Sequence, residues 1–173
     1  MAAYDISVYS TVDEGASRRS IRTNITAATY RTGEPVSIVA NELLRSDNAP
    51  GGNDPANIYG IACESAVSQS NRMAALEIQD TPRLVELPAA GKVFAARYFA
   101  TDGAGTEAVP TFAGVSGVQG NLYLNAGTDR WAFDTGAANA NVEGIDVLDS
   151  GGFSLGDDLT ESGAGVTVLF RFI

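Results

Sequence analysis

The chain has 173 residues, of which 45 % are hydrophobic and 18 % charged, and its formal net charge is −10. It has no histidine, the commonest general base and metal ligand, and one cysteine, Cys63, which excludes an intramolecular disulfide. No apolar run approaches the roughly 18 residues of a membrane span. We therefore expect a globular protein without cofactors, without nucleic-acid binding by a basic surface and without a membrane-spanning segment.

The opening residues, "MAAYDISVYSTVDEG", have neither the basic nor the apolar region of a signal peptide. We therefore expect the protein to fold in the cytoplasm where it is made. Residues 1–32 are rich in Thr and Arg and alternate poorly between apolar and polar residues. They predict an N-terminal extended arm or edge segment, and an ordinary pair of outer strands is the alternative interpretation.

From Gly33 to Ala100 the pattern predicts short strands between turns rich in Gly, Pro, Asn and Asp. In the first of these strands, Val36, Ile38 and Ala40 would share one face. The segments that predict strands here are 34–40, 58–66, 73–80, 83–89 and 92–100.

The last third of the chain has the clearest strand pattern. Residues 121–135 predict a hairpin with Trp131 and Phe133 on one face. The strand predicted at 141–149 contains Gly144, which indicates a β-bulge. The chain ends in "GVTVLFRFI", whose alternating apolar residues predict a half-buried strand that pairs within a sheet.

Together these strands predict an all-β fold with little helix, a small β-barrel or β-sandwich. The predicted domain organisation is an arm at 1–32 followed by a β-domain at 33–173. An alternative within the β-domain is two lobes, 33–100 and 120–173, joined by a Gly-rich loop at 101–119.

The segment "GFSLG" (152–156) matches the G-x-S-x-G pattern of a hydrolase nucleophile elbow, with Ser154 as the nucleophile. An elbow needs a helix after the serine, and the sequence predicts none before Gly163. The serine also needs a base. The chain has no histidine, and nothing in the sequence places its only lysine, Lys92, beside Ser154. We interpret the segment as a turn and expect no enzyme.

Other candidate sites are weaker. Asp146 and Asp149, or Asp157 and Asp158, offer oxygen ligands for Ca²⁺ or a carboxylate pair for glycosidase chemistry. The spacing of an EF-hand is absent, and adjacent acids on a turn usually face water, so we expect a solvated acidic rim. Cys63 follows the apolar "YGIA" and is expected to be a buried, inert thiol.

Two stretches share a pattern with a known family. In "TGEPVSIVANELLRSD" a strand follows a glycine, and "YGIACESA" supplies a Gly-Ile-Ala strand; "GNLYLNAGTDRWAFDTGAANANVEGIDVLD" follows later. These stretches resemble the small β-domains of head decoration (cement) proteins of tailed bacteriophages. The resemblance covers residues 33–80 and 120–172.

The resemblance implies a structural virion protein on the outer capsid surface, made in the host bacterial cytoplasm. Such a protein would bridge major capsid protein subunits and so stabilise the assembled capsid, commonly as a homotrimer. The first 45 residues are neutral and the remainder is acidic, so we expect the arginine-bearing N-terminal segment to dock on an acidic capsid surface. The candidate partner-binding residues are Arg18, Arg19, Arg22 and Arg31.

Two alternative functions stay open at this stage. Another virion structural protein, of the tail tube or the minor head, would form hexameric rings or tubes instead of trimers. A carbohydrate-binding β-sandwich module would use exposed aromatic side chains, for which the candidates are Tyr98, Phe99, Tyr123 and Trp131.

Overall fold

The computed structural model describes residues 6–10, 18–23, 30–39, 42–47, 57–63, 81–89, 91–138, 140–156 and 166–173. Within these residues the protein is all-β, with two sheets and one four-residue helix, so the predicted fold class is confirmed. No closed barrel forms in this part of the chain. None of its helices is long and apolar enough to cross a membrane.

The elements follow in chain order. They are β1 (Ile6–Ser10), β2 (Arg18–Thr23), β3 (Pro35–Val39), β4 (Glu42–Arg45), β5 (Gly60–Ala62), β6 (Thr81–Glu86), β7 (Val93–Ala96), β8 (Phe99–Ala100), α1 (Phe112–Val115), β9 (Gln119–Asn125), β10 (Arg130–Asp134), β11 (Val142–Leu148) and β12 (Thr167–Phe172).

The chain divides into two units. The terminal unit comprises residues 1–13 and 89–173, and the inserted unit comprises residues 14–88. The terminal unit holds a seven-stranded sheet in the order β1-β7-β12-β11-β9-β10-β8, in which only β8 and β10 are parallel neighbours. The inserted unit holds an antiparallel sheet in the order β2-β6-β5-β3-β4. Because β1 and β7 are antiparallel neighbours, the inserted unit interrupts what would otherwise be a hairpin.

This division differs from the predicted domain boundaries. Within the segment 1–32, the described residues form β1 and β2, which are outer strands of two different sheets. The loop 101–119 lies inside the terminal unit instead of joining two lobes, and it contains α1. The physical reason is long-range pairing, since Ile6 lies opposite Ala96 and no local pattern reveals that partner.

The aromatic core of the terminal unit shows how its sheet curls. Phe94 on β7 stacks on Phe170 on β12 with ring centroids 5.7 Å apart, and Phe170 also lies 6.0 Å from Phe133 on β10. In the sheet order β10 and β12 are three places apart, about 14 Å in a flat sheet. The sheet is therefore folded over, so that its inner faces pack against each other as in a sandwich.

Several local predictions are confirmed in the terminal unit. β9 and β10 form the predicted hairpin, and Trp131 and Phe133 are fully buried. The C-terminal strand lies inside the sheet, between β7 and β11, with Val168 and Phe170 buried. The register between β11 and β12 shifts after Gly144, which is the predicted bulge.

The helix α1 packs closely against this bulge. Thr111 caps it, since its Oγ1 accepts from the Gly114 N–H at 3.1 Å. The Gly144 N–H donates to the Val118 carbonyl and the Gly117 N–H donates to the Gly144 carbonyl, both at 2.9 Å. A Cβ on Gly144 would collide with the Val115 carbonyl oxygen, so only glycine fits at this position.

The inserted unit has its own core of Tyr30, Val36, Leu43, Ala62 and Val85. The face predicted for β3 is buried only in part, because Val36 is fully buried whereas Ile38 is 41 % exposed.

On the other face of β3 a polar residue is buried: Ser37 shares a 2.6 Å hydrogen bond with Ser46, Oγ to Oγ. Ala40 and the strand predicted at 73–80 lie outside the described residues.

Candidate functional site

A tight turn after β11 has a shape fixed by one carboxylate and the backbone. Asp149 Oδ1 accepts from the N–H groups of Gly151 and Phe153, both at 2.8 Å. The Gly152 N–H donates to the Asp149 carbonyl at 3.0 Å, and the Asp149 N–H donates to the Phe153 carbonyl at 2.8 Å. Gly152 has φ of 84°, a left-handed conformation that costs glycine little. We call residues 149–154 the Phe153 turn.

The Phe153 turn presents the most exposed large hydrophobic side chain of the described residues. Phe153 is 73 % exposed, compared with 58 % for Ile173 and 50 % for Val109. Aromatic side chains, Phe included, are enriched at protein interfaces relative to the rest of the surface, and a fixed backbone reduces the entropy lost on binding. The turn is therefore a candidate contact site for another protein.

Ser154 is part of this turn and acts as a structural residue. Its Oγ donates to Asp146 Oδ1 at 2.8 Å, and its backbone pairs with Leu148. The prediction that "GFSLG" is a turn is confirmed. A carboxylate at neutral pH is a poor base for a serine hydroxyl, and the contact instead ties the turn to β11. Lys92 is buried, with its Nζ 5.8 Å from the Phe94 ring centroid.

The arginines predicted to bind a partner all lie in the inserted unit. Arg18, Arg19 and Arg22 lie on the outer strand β2. Arg31 is exposed, and its backbone N–H donates to Glu34 Oε2 at 2.7 Å. The sequence brings these four residues together in one segment, and the structure keeps the first three on one strand.

The acidic residues form no metal site in the described part of the chain, where no group of three or more potential ligands is found. Asp146 and Asp149 serve as hydrogen-bond acceptors for the Phe153 turn, whereas Asp157 and Asp158 lie outside the described residues.

Cys63 is half-buried rather than buried as predicted. Its Sγ lies 3.8 Å from Glu86 Oε2 and 3.9 Å from the Ile61 carbonyl oxygen.

The aromatic residues considered for carbohydrate binding separate into two groups. Phe99 and Trp131 are 4 % and 0 % exposed and belong to the core. Tyr123 and Tyr98 are half-buried. Tyr98 lines a surface cavity of about 230 Å³, which we call the Tyr98 cavity; its other polar lining residues are Thr106, Glu107, Asn125, Thr128 and Arg130.

One wall of the Tyr98 cavity is held by a buried carboxylate, Asp134, at the end of β10. Its two oxygens accept backbone N–H groups from Gly103 at 3.1 Å, Gly105 at 2.9 Å and Gly136 at 2.8 Å. From the next strand, Asn125 Nδ2 donates to the Gly105 carbonyl at 3.0 Å. The 101–107 loop is thereby fixed against the strand ends. Asp134 is not among the residues predicted from the sequence, although an acid that ends an apolar strand was a usable signal.

Asp102, near the start of the same loop, accepts hydrogen bonds from the amides that alternate with those bound by Asp134. Its Oδ1 accepts from the N–H groups of Ala104 at 2.9 Å and Thr106 at 3.2 Å. A hydrogen bond from the Thr106 side chain, followed by the one from the Ala104 amide, holds the pKa of the Asp102 carboxyl below its ordinary value of 3.8. These bonds favour the charged form, because only a carboxylate accepts all of them well.

Two surfaces of the terminal unit therefore stand out, the Phe153 turn and the Tyr98 cavity. A comparison of the chain with protein-family models, curated proteins and solved structures gave no match.

Proposed function

We propose that the protein is a structural virion protein that binds the outside of an assembled capsid and bridges major capsid protein subunits. The observation that carries this proposal is Phe153, 73 % exposed on a turn fixed by four hydrogen bonds. Burying such a side chain in a partner pocket contributes about 1.5–3 kcal/mol. The rigid turn also reduces the entropy lost on docking.

The division into two units supports a bridging role. A bridge must contact at least two subunits, and each unit of this chain has its own sheet and its own buried residues. In the proposal the Phe153 turn is the apolar contact of the terminal unit. The arginines of β2 and Arg31 provide the positive charge with which the inserted unit meets an acidic capsid surface.

The outer strands support self-association. Among the strands that the structure describes, β1 and β2 each have one neighbour, and an outer strand can pair with a strand of another subunit. We propose a homotrimer on the outer capsid surface, made in the host bacterial cytoplasm. A tail-tube or minor head protein would instead assemble into hexameric rings.

The binding test uses the full chain and expanded capsids that lack it, with co-sedimentation as the readout. We expect Phe153→Ala to weaken binding by about 30-fold, the loss of one interface anchor of about 2 kcal/mol. Val109→Ala is the matched control, since Val109 is also an exposed apolar residue of the terminal unit. Failure of the wild-type chain to bind capsids, or equal binding by Phe153→Ala, would contradict the proposal.

The arginines are tested by substitution, because removing residues 1–32 would take β1 and β2 out of their sheets. We expect Arg18→Gln, Arg19→Gln and Arg22→Gln combined to weaken binding to capsids and to reduce its salt dependence. Light scattering on the purified protein gives the oligomer: a trimer, or a monomer that trimerises on shells, agrees with the proposal. Rings of six subunits would favour the alternative function as a tail-tube protein.

A further inference from the structure

Independently of the capsid role, we propose that the Tyr98 cavity binds one neutral saccharide ring. The cavity measures about 230 Å³, below the roughly 300–1,000 Å³ typical of sites for drug-sized ligands. A ligand of one ring is therefore the size that it admits.

The central polar feature of the cavity is a loosely joined Arg–Glu pair. Arg130 Nη1 and Glu107 Oε2 are 3.5 Å apart, and the two side chains are 48 % and 63 % exposed. A guanidinium has five N–H donors and a carboxylate about four acceptor sites, so this single long contact leaves most of their capacity available. Adjacent sugar hydroxyls match such a pair, because each hydroxyl both accepts and donates.

The charges at the cavity favour a neutral ligand. The formal charges of Arg130 and Glu107 cancel, so an anion would meet the carboxylate and a cation would meet the guanidinium. The other polar side chains that line the cavity, Thr106, Asn125 and Thr128, are uncharged donors and acceptors. This set suits hydroxyl groups rather than a phosphate or an ammonium group.

The aromatic ring contributes packing and order. The Arg130 guanidinium carbon lies 4.7 Å from the centroid of the Tyr98 ring, a stacking arrangement that restricts the side chain before any ligand arrives. Tyr98 and Ala132 also supply apolar surface for the C–H groups of a sugar ring. Since Asp134 and Asn125 already fix Gly105, little ordering remains to be done on binding.

The experiment titrates the isotope-labelled full chain with a panel of neutral monosaccharides and follows backbone amides by NMR. We expect a millimolar affinity for at least one hexose, with shifts confined to the amides of Gly105, Thr106 and Thr128. Arg130→Gln and Glu107→Gln should each weaken binding about tenfold, the loss of one or two hydrogen bonds. Using two variants guards against one that fails to fold.

Arg171→Gln is the matched control, since Arg171 forms another exposed ion pair of the terminal unit with Glu143; it should bind like the wild type. Absence of shifts at these amides with every neutral sugar at tens of millimolar would overturn the proposal. So would unchanged binding by Arg130→Gln and Glu107→Gln. Tighter binding of glucuronate or glucosamine than of glucose would overturn the neutral ligand class. Because Phe153→Ala leaves the cavity intact, sugar binding and capsid binding are separable.

Discussion

Asp134 is a fully buried carboxylate whose described hydrogen-bond partners are the backbone amides of Gly103, Gly105 and Gly136. Hydrogen bonds to a charged group are stronger than those between neutral groups, and they compensate for removing the carboxylate from water. A single side chain at the end of β10 thus determines the path of a loop thirty residues earlier in the chain. The Tyr98 cavity depends on this loop.

We expect Asp134→Asn to lower the free energy of unfolding by about 1.5–3 kcal/mol, because the amide NH₂ would face backbone donors that lose their acceptor. Urea denaturation provides the measurement. Asp102→Asn is the control: it keeps an acceptor oxygen on an exposed turn and should change the stability much less than Asp134→Asn does. Equal stability of the Asp134→Asn protein and the wild type would show that the carboxylate does not hold the loop.

The order of the 101–107 loop should respond to pH through Asp102. The pKa of the Asp102 carboxyl in the folded protein lies below its ordinary value of 3.8. The stabilising contribution of Asp102 is therefore complete above the ordinary value and is lost as the pH falls through the folded pKa. We expect Thr106→Ala to raise the pKa of Asp102 towards 3.8. A carboxyl NMR titration measures it. Thr128→Ala, a change in the same cavity at a residue that does not bond Asp102, should leave this pKa unchanged; a shift of equal size in both variants would refute the assignment.

At the scale of the elements, the contact between α1 and the bulge of β11 depends on Gly144. We expect Gly144→Ala to destabilise the protein by about 1–3 kcal/mol, since its methyl group would overlap the Val115 carbonyl and force the helix outward. Thermal unfolding, followed by circular dichroism, measures the effect. Gly127→Ala is the control: Gly127 is exposed, and the nearest atom to an added Cβ is Asn125 Oδ1 at 3.3 Å, whereas the Val115 carbonyl oxygen at Gly144 would be much closer. If both variants unfold at the same temperature, the close approach of Gly144 to the Val115 carbonyl does not determine the stability.

The elements that the sequence predicts correctly have their determinants close together in the chain. The β9–β10 hairpin, the bulge at Gly144 and the alternation of β12 are all readable within ten to fifteen residues. The outer strands β1 and β2 lack clear alternation, and their partners β7 and β6 lie about 60 to 90 residues away, beyond the range of a local pattern. Domain boundaries that depend on such pairings differ from the predicted ones for the same reason.

The candidate sites were predictable only in part. The "GFSLG" pattern marks the turn, but the exposure of Phe153 depends on where β11 ends and how Asp149 closes the turn. Tyr98 is one of four aromatic residues that the sequence offers for carbohydrate binding. Only the structure shows that Phe99 and Trp131 are buried whereas Tyr98 is half-buried. Arg130 and Glu107 are 23 residues apart, so their pairing has no local signature.

At the scale of the whole molecule, the β1–β7 pairing makes a specific design testable. Ser10 lies opposite Val93, so the two ends from which the inserted unit departs belong to neighbouring strands. We expect a chain in which a short Gly/Ser linker replaces residues 14–88 to fold, with the amide spectrum of residues 91–138 close to that of the full chain.

The control for this design also lacks residues 1–10. It should be less stable, because it loses β1 and the buried Ile6. A shortened chain without dispersed amide signals would show that the terminal unit needs the inserted unit in order to fold.

The same pairing sets an order of events on the ribosome. β1 is made before the inserted unit, but its partner β7 is made only after the inserted unit is complete at Pro88, and β12, the other neighbour of β7, is made later still. The inserted unit can therefore close its sheet during synthesis. The terminal unit can complete its sheet only after β12 has been made, and closing so long a loop slows its folding. Assembly begins with the inserted unit, and Ile6, the first residue of β1, is buried only after β7 has been made.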